Sequence, residues 1–470
     1  MNTLIRSFFI LFLLAPGTAL AQHGDFAGTD PAAYDDHEAW ARDLSLLYAR
    51  IQDLHPDYDH ATPAADWDTK YESTLAALPD LDWAGFVTAT AQFMELANDG
   101  HTNVFPFAYH GPGFEEQYPL RAYFFGGDLY LTRVEDGTRE LVGGRVIQFG
   151  NVPAREVMAG LMGLISAGSP MWKANFAPVV LRYPGFASAL GYGDADGGLT
   201  ITVETQDGGT ATATLYPIAP DAILELTTVF DVLNPDADYP RWMTEEAPYV
   251  YEYLPDQNAV YLIYGAVQND ENDPIEDFAA TMFQFIEENE VERLIIDVRN
   301  NGGGDNTFNA PFVHGVIASR LNHPGGVYVL TGRQTFSAAQ NFTNWMERHT
   351  QAIFVGEPTA GRPNHFGDAE VFSLPESQLV TLISTLRWQD SFDSDPRMWV
   401  RPDVGADLSF DDFLGGRDPA FETAITHDAS DISFQPFTAR RWYRDTQFLG
   451  WDVPIMGMRG VYDAEGNEVR

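Results

Sequence analysis

The sequence contains no cysteine, and Lys70 and Lys173 are its only lysines. The first absence excludes disulfides, thiol chemistry and lipid attachment to cysteine. Only 27 basic residues stand against 68 acidic ones, which gives a net charge of −41 at pH 7. Nucleic acid and anionic membrane surfaces are recognised mainly by Lys and Arg, so this balance argues against both as partners and disfavours acidic substrates. A solvated acidic surface accounts for the charge.

Long apolar runs are also missing, apart from Phe8–Ala15 near the N-terminus. This run is shorter than the ~20 residues that span a membrane. Preceded by Arg6 and followed by the small-x-small sequence Ala19–Ala21, it predicts a signal peptide over residues 1–21, cleaved before Gln22. A short membrane anchor is the alternative. We expect an exported protein, periplasmic or extracellular, with no membrane span in the mature chain.

Several common functional motifs are absent. The sequence has no H-E-x-x-H or Cys/His metal spacing, no Walker-type GK[ST] and no G-x-S-x-G elbow. It therefore predicts no metal site, no nucleotide-binding loop and no cofactor.

The residue pattern divides the rest of the chain into four parts. Apolar residues recur at three- and four-residue steps in the first part, which predicts a small helical domain. Short β-rich runs alternate with turns in the second, and strands alternate with helices in the third. A tail without a clear pattern follows. The boundaries are 22–104, 105–222, 240–430 and 431–470.

The third part has the pattern of βαβ units. Predicted strands lie at 259–265, 294–298 and 327–331, with AIFVG as the next. Because LIIDV is almost wholly apolar, it predicts a sheet covered on both faces. We expect the first helix to begin with Asp273 as N-cap and Pro274 in its first turn.

Two loops follow neighbouring strands on the carboxyl edge of this sheet, where sites form in α/β proteins. They are RNNGGGDN (299–306) and TGRQTFS (331–337). Bare glycine N–H groups can bind an oxyanion, and the N-terminal end of a helix favours a developing alkoxide. Ser337 is therefore a candidate nucleophile, although serine at this position is also a routine helix N-cap.

Three blocks in sequence order, LIIDVRNNGGGDN, VLTGRQTFSAAQNF and IFVGEPTAGRPNHFG, resemble the C-terminal processing (tail-specific) serine peptidase family, which includes the tricorn-like peptidases. The resemblance implies an α/β fold with a crotonase-like (ClpP/crotonase) catalytic core. It also implies a helical N-terminal domain and a β-rich, PDZ-like middle segment. Residues 161–198 look like a long insertion in that segment.

The resemblance also implies roles for particular residues. Ser337 matches the nucleophile, but the lysine of the Ser/Lys members is replaced by Arg362, which cannot act as a base because it stays protonated. The tricorn-like branch uses a histidine instead, and His101 in ELANDGHTNVF matches it. Gly100 stands where that branch has a serine.

An acidic residue that supports the histidine is implied shortly before VRPDV. Asp395 fits its spacing best, with Asp393 as a rival. His365 is a competing base or a substrate contact. Arg362 could bind a substrate carboxylate, although pairing with surface acids is the favoured interpretation.

The N–H groups of Gly303 and Ala338 are the expected oxyanion donors. The implied function is that of an exported serine endopeptidase of the tail-specific type, with a peptide or protein substrate and a Ser337 acyl-enzyme. The alternative is a catalytically silent binding protein on the same fold, as in the interphotoreceptor retinoid-binding proteins, carrying a peptide or a hydrophobic ligand. An acyl-thioester enzyme of the crotonase type is a weaker third hypothesis. The sequence does not predict an oligomeric state.

Overall fold

A computed structural model describes residues 34–104, 108–393 and 395–431, with two short strands beyond them. Its helices are α1 (His37–Leu54), α2 (Ala64–Ala77), α3 (Trp83–Glu95), α4 (Ala154–Met162), α5 (Pro170–Val180), α6 (Pro184–Ala189), α7 (Val229–Leu233), α8 (Arg241–Thr244), α9 (Ile275–Glu288), α10 (Ala310–Ala318), α11 (Ala338–His349), α12 (Phe410–Leu414) and α13 (Pro419–Thr426). Its strands are β1 (Asn103–Val104), β2 (Leu120–Phe125), β3 (Asp128–Val134), β4 (Arg145–Phe149), β5 (Val152–Pro153), β6 (Leu199–Glu204), β7 (Thr210–Leu215), β8 (Thr227–Thr228), β9 (Tyr249–Leu254), β10 (Ala259–Tyr264), β11 (Arg293–Asp297), β12 (Val327–Thr331), β13 (Ile353–Gly356), β14 (Asn364–Gly367), β15 (Glu370–Ser373), β16 (Val380–Ile383), β17 (Leu386–Gln389), β18 (Val404–Gly405), β19 (Gln447–Phe448) and β20 (Trp451–Asp452).

The predicted signal peptide, residues 1–21, lies outside the described residues, and so does most of the tail, 431–470. None of the described helices is both long and apolar enough to cross a membrane.

Helices α1 to α3 precede the first strand. Asp36 and Asp82 cap α1 and α3 through their side chains, as short acidic residues at an N-cap do. The inward faces carry large aromatic side chains, and the rings of Trp40 and Phe86 stack with centroids 4.8 Å apart. α3 ends at Glu95 and delivers the chain to the loop that carries His101.

The middle segment forms a sheet in the order β2-β3-β4-β6-β7, with β5 and β8 on its side branches. β6 alternates buried and half-buried residues, which is the period of a strand with one covered face. A 3-10 helix, Asp136–Leu141, connects β3 to β4. The insertion folds into α5 and α6, and α6 packs against α3. The middle segment and the N-terminal helices therefore share one hydrophobic core.

The third part builds a six-stranded sheet in the order β18-β13-β12-β11-β10-β9, parallel except for β9. Strands β10, β12 and β13 are buried at every residue. Helices α9, α10 and α11 cover one face and α13 covers the other. The predicted two-sided burial is confirmed, and so is the α/β class; the crotonase-like and PDZ-like descriptions stay predictions.

The start of α9 differs from the prediction. Its N-cap position is Pro274, not Asp273, and no side chain of the cap residue closes it. The N–H of Ile275 is bound instead by Oδ1 of Asn269, at 3.0 Å. A residue six positions upstream thus replaces the local cap that the sequence suggested.

Candidate active site

Ser337 lies immediately before α11 with its backbone at φ 53° and ψ −126°. Residues other than glycine rarely adopt this backbone conformation, and it is typical of functional turns. The hydroxyl makes no capping hydrogen bond. Its Oγ lies 2.9 Å from Nε2 of His101. The side chain therefore faces the histidine and not the free N–H groups of its own helix.

The loop before Ser337 is fixed by buried hydrogen bonds. The Thr335 hydroxyl donates to the carbonyl of Val298 at 2.7 Å and accepts from the N–H of Gly332 at 3.1 Å. The N–H of Phe336 donates to the carbonyl of Asn301 at 3.1 Å. These bonds tie the serine loop to the glycine loop that follows β11.

The glycine loop approaches the serine very closely. Gly303 has φ 114°, and a Cβ there would lie 2.6 Å from Cβ of Ser337 and 2.8 Å from N of Ala338. Its N–H, an expected oxyanion donor, already donates to Oδ1 of Asn301 at 2.9 Å. In the described part of the chain, the N–H groups of Ala338 and Gly304 have no acceptor. Gly304, the next residue of the loop, is thus a further candidate donor beside the predicted Gly303.

His101 is positioned by the end of α3 and by β1. β1 starts two residues later and pairs antiparallel with β16, which fixes the loop against the third part of the chain. The imidazole stacks on Phe336 with centroids 4.5 Å apart, and Phe336 stacks on Trp172 at 3.9 Å. A Cβ on Gly100 would lie 2.5 Å from Cζ of Phe336. The serine implied at this position would therefore displace the ring that supports the histidine.

Asp99 is the carboxylate next to His101. Its Oδ1 lies 3.9 Å from Nδ1 of the imidazole and accepts the backbone N–H of His101 at 3.1 Å. Its Oδ2 accepts the hydroxyls of Thr102 at 2.7 Å and Ser384 at 2.5 Å, and lies 3.5 Å from Nε2 of His55. Burial alone would raise the pKa of Asp99, but His55, His101 and Ser384 hold it well below its usual range. The buried carboxylate thus stays charged.

The protonation state of His101 suits a base. Burial lowers the pKa of its imidazole, and the charges of Asp99 and Asp368 offset this only in part. At neutral pH the ring is therefore neutral, with one nitrogen free to accept a proton.

Asp395, the acid predicted to support His101, does not pair with it in this structure. The Asp395 carboxylate is held by the guanidinium of Arg397, which also binds Glu347, and by the hydroxyl of Ser391. The rival, Asp393, pairs with an exposed arginine, Arg387. Neither carboxylate lies within ion-pair distance of His101.

His365 and Arg362 lie close by but do not reach Ser337. The ring of His365 is 6.1 Å from that of His101 between centroids, and its Nδ1 lies 3.2 Å from the carbonyl of Arg362. Arg362 Nε donates to the carbonyl of Gly168 at 2.7 Å, and no described carboxylate lies within ion-pair distance of it. The favoured interpretation of Arg362, a surface ion pair, is replaced by this inward contact.

The insertion supplies contacts that sequence reasoning missed. The Ser166 hydroxyl accepts the N–H of Asp99 at 3.0 Å and donates to its carbonyl at 2.8 Å. The ring of Trp172 stacks on that of Phe336, and the carbonyl of Gly168 accepts a hydrogen bond from Arg362. No sequence motif marks these residues, because their roles depend only on where the insertion packs. Within the residues that the structure describes, no group of three or more His, Asp or Glu side chains is placed to hold a metal.

No protein-family model matches the sequence, and a search of curated proteins finds no match. Solved structures do match. Mature CPAF complexed with lactacystin aligns over 83% of this chain and 99% of its own, with 15% identity and a TM-score of 0.57. A serine-to-alanine mutant of CPAF aligns over 81% and 95%, with 16% identity and a TM-score of 0.56. The photosystem II D1 C-terminal processing protease aligns over 81% and 98%, with 12% identity and a TM-score of 0.37, too low to support an argument. Likeness to CPAF at this identity shows a shared fold, which agrees with the family resemblance of the sequence.

Proposed function

We propose that this protein is an exported serine peptidase that hydrolyses peptide bonds through an acyl-enzyme on Ser337, with His101 as the general base. The observation that carries the proposal is the 2.9 Å contact between Ser337 Oγ and His101 Nε2, made between residues 236 positions apart. A nucleophile and a base within hydrogen-bond reach are the signature of covalent catalysis. The strained backbone of Ser337 adds to it, because strain of this kind collects at active sites.

The proposed first step transfers a proton. Oγ of Ser337 attacks the peptide carbonyl carbon while Nε2 of His101 takes the hydroxyl proton. The N–H groups of Ala338 and Gly304 bind the oxyanion of the tetrahedral intermediate. As the C–N bond breaks, His101 returns the proton to the leaving amine. The charged Asp99, 3.9 Å from Nδ1, stabilises the imidazolium between these two transfers.

The second step mirrors the first. His101 takes a proton from water, the resulting hydroxide attacks the ester carbon, and the proton returns to Oγ of Ser337 as the acid product leaves. A tail-specific endopeptidase activity and export through the 1–21 segment are parts of the same proposal. They are supported by the three sequence blocks and by the signal-like pattern of the first residues.

Labelling with a fluorophosphonate tests the nucleophile. We expect the folded wild-type protein to be labelled and the Ser337→Ala variant not to be labelled. Ser45→Ala, which removes an exposed hydroxyl of α1, is the matched control and should label like the wild type. A folded wild-type protein that resists labelling would favour the alternative, a catalytically silent binding protein.

The pH profile tests the base. Because the pKa of His101 is lowered from its ordinary value of about 6.5, kcat/KM should rise with pH through a midpoint below 6.5 and stay high at neutral pH. The measurement is kcat/KM of a chromogenic peptide between pH 4 and 8. In Asp99→Asn the midpoint should move further down, since the carboxylate raises the pKa of His101. A wild-type midpoint above 6.5 would contradict this assignment.

A further inference from the structure

A large cavity lies beside the loops that follow β11, β12 and β13. Its volume is about 1220 Å³, and its walls include Asn300, Gly332 and Glu357 from those loops. Other wall residues come from the middle segment, including Tyr123 of β2, and from the stretch around Tyr239 that follows it. Neither Ser337 nor His101 lines it. The cavity is therefore separate from the reacting groups but shares a loop with the nucleophile.

Arginines are concentrated on this cavity. The chain has 25 arginines, because 27 basic residues include two lysines. Five of them line the one cavity: Arg121, Arg133, Arg182, Arg299 and Arg333. Four acidic residues, Asp231, Asp238, Glu246 and Glu357, line it as well, so its charges are nearly balanced in a chain with a net charge of −41.

Two of the five are neutralised by the protein. Arg299 is bound by Asp297 and Asp418, and Arg333 is bound by Glu357. These pairs lie at the sheet edge and hold the loops after β11, β12 and β13 in place. The other three arginines on the walls are Arg121, Arg133 and Arg182.

Arg182 is the most informative of these three. It is buried, with 8% of its surface exposed, and its hydrogen bond within the described residues is a long one, from Nε to the carbonyl of Val179 at 3.5 Å. No carboxylate described in the structure lies within ion-pair distance of Arg182 or Arg133. Burying a guanidinium without a counter-charge is unfavourable, and a carboxylate of a bound ligand would supply that charge.

The three guanidinium groups also lie close enough to repel each other. Burial, followed by the charges of Arg182 and Arg133, lowers the pKa of Arg121 to about 10. Asp231, Asp238 and Glu246 on the cavity wall are exposed. Hydrogen bonds from Thr228 and, to a smaller extent, the charge of Arg133 lower the pKa of Asp231. The buried part of the wall therefore carries the positive charge of Arg182, while these acidic residues are exposed.

We propose that this cavity is a subsite that binds acidic side chains of the peptide substrate. The inference rests on the proposed peptidase function and specifies its substrate class. Guanidinium groups bind carboxylates in two-point contacts, and the rings of Tyr123, Tyr239 and Trp242 on the same walls suit the apolar part of a side chain. The net negative charge of the whole chain disfavours acidic ligands at the surface in general. It does not exclude them from one cavity whose wall carries a buried arginine.

The loop that lines the cavity also fixes its distance from the nucleophile. Gln334 is a wall residue, and Ser337 follows three residues later. With 3.8 Å between consecutive Cα atoms, their separation is at most about 11 Å. An extended peptide covers this distance in about three to four residues. Substrate residues within about three to four positions of the scissile bond would therefore reach the cavity wall at Gln334.

The experiment compares peptides that differ only by Glu→Gln at such positions. We expect the wild-type protein to cleave the Glu peptides with kcat/KM about tenfold higher, and the ratio to fall toward one in Arg182→Gln and in Arg133→Gln. Arg133→Gln provides a second variant because Arg182 is buried and its loss can impair folding. Arg387→Gln, on an exposed strand and outside the cavity, is the matched control and should keep the wild-type ratio.

Two further arms separate the possible failures. Amidated peptides distinguish acidic side chains from a terminal carboxylate: a preference that disappears on amidation overturns the proposal.

Fluorescence anisotropy with Ser337→Ala and a labelled Glu peptide measures binding without chemistry. If nothing is hydrolysed but the Glu peptide binds more tightly than its Gln partner, the peptidase function fails and the subsite for acidic side chains stands. Hydrolysis with no Glu preference overturns the subsite alone.

Discussion

Replacing His101 with alanine should lower kcat/KM for peptide hydrolysis by about 10⁴-fold while the protein remains folded. The reason is geometric, because Nε2 of His101, the proposed base, lies 2.9 Å from Oγ of Ser337. Arg362, which occupies the place of the family's lysine, cannot accept a proton and donates to Gly168 instead. Without His101 no other described side chain contacts the hydroxyl to receive its proton.

The informative control for this variant is His365→Ala. His365 is also buried and lies beside His101, but its Nδ1 faces the carbonyl of Arg362. We expect the His365→Ala variant to keep kcat/KM within about tenfold of the wild type. In the proposed mechanism His365 lies beside His101 but transfers no proton. Steady-state kinetics on both variants, with thermal unfolding to check the fold, make the comparison. A larger loss in His365→Ala than in His101→Ala would reverse the assignment of the base.

Gly303→Ala should lower kcat by about 10²- to 10³-fold. The new Cβ would lie 2.6 Å from Cβ of Ser337 and 2.8 Å from N of Ala338, and the residue would have to keep φ at 114°. Such a contact cannot persist, so the glycine loop or the serine must move. Loss of one oxyanion donor has this magnitude in peptidases, and a shift of about 1 Å at the reacting atoms costs about 10²-fold.

Gly405→Ala is the matched control for the glycine variant. Gly405 lies on β18 of the same sheet, has no positive φ, and a Cβ there would meet nothing within 4 Å. Turnover and melting temperature should be measured for both variants. The expected result is normal turnover for Gly405→Ala and a loss for Gly303→Ala that exceeds its loss of stability. Normal turnover in Gly303→Ala would show that the loop is not part of the site.

The sequence predicted well where the signal is local. Strands β10 to β13 are apolar runs between turn residues, and their boundaries match the prediction within one or two residues. The pairing of Ser337 with His101 was predicted through the family motifs, since no spacing rule connects residues so far apart. Local pattern alone favoured a helix cap for Ser337.

The acid beside His101 could not be chosen from the sequence. Acidic residues are abundant, so spacing selected Asp395, whereas the contact is made by Asp99. The environment of Asp99 depends on Ser384 and Ser166, which come from β16's end and from the insertion. Likewise, counting charges along the chain predicts an acidic surface but cannot reveal that five arginines converge on one cavity. These features are set by packing between distant segments.

The proposed base and nucleophile come from two separately packed parts of the chain. His101 follows the N-terminal helices of one hydrophobic cluster, and Ser337 opens a helix that packs in another. They are 236 positions apart, a length that takes roughly 10–50 s to synthesise at 5–20 residues per second. The histidine is therefore made well before the serine, and the pair exists only after both clusters have docked. A growing or unfolded chain cannot cut its neighbours, so folding itself would act as the activation step of an exported peptidase.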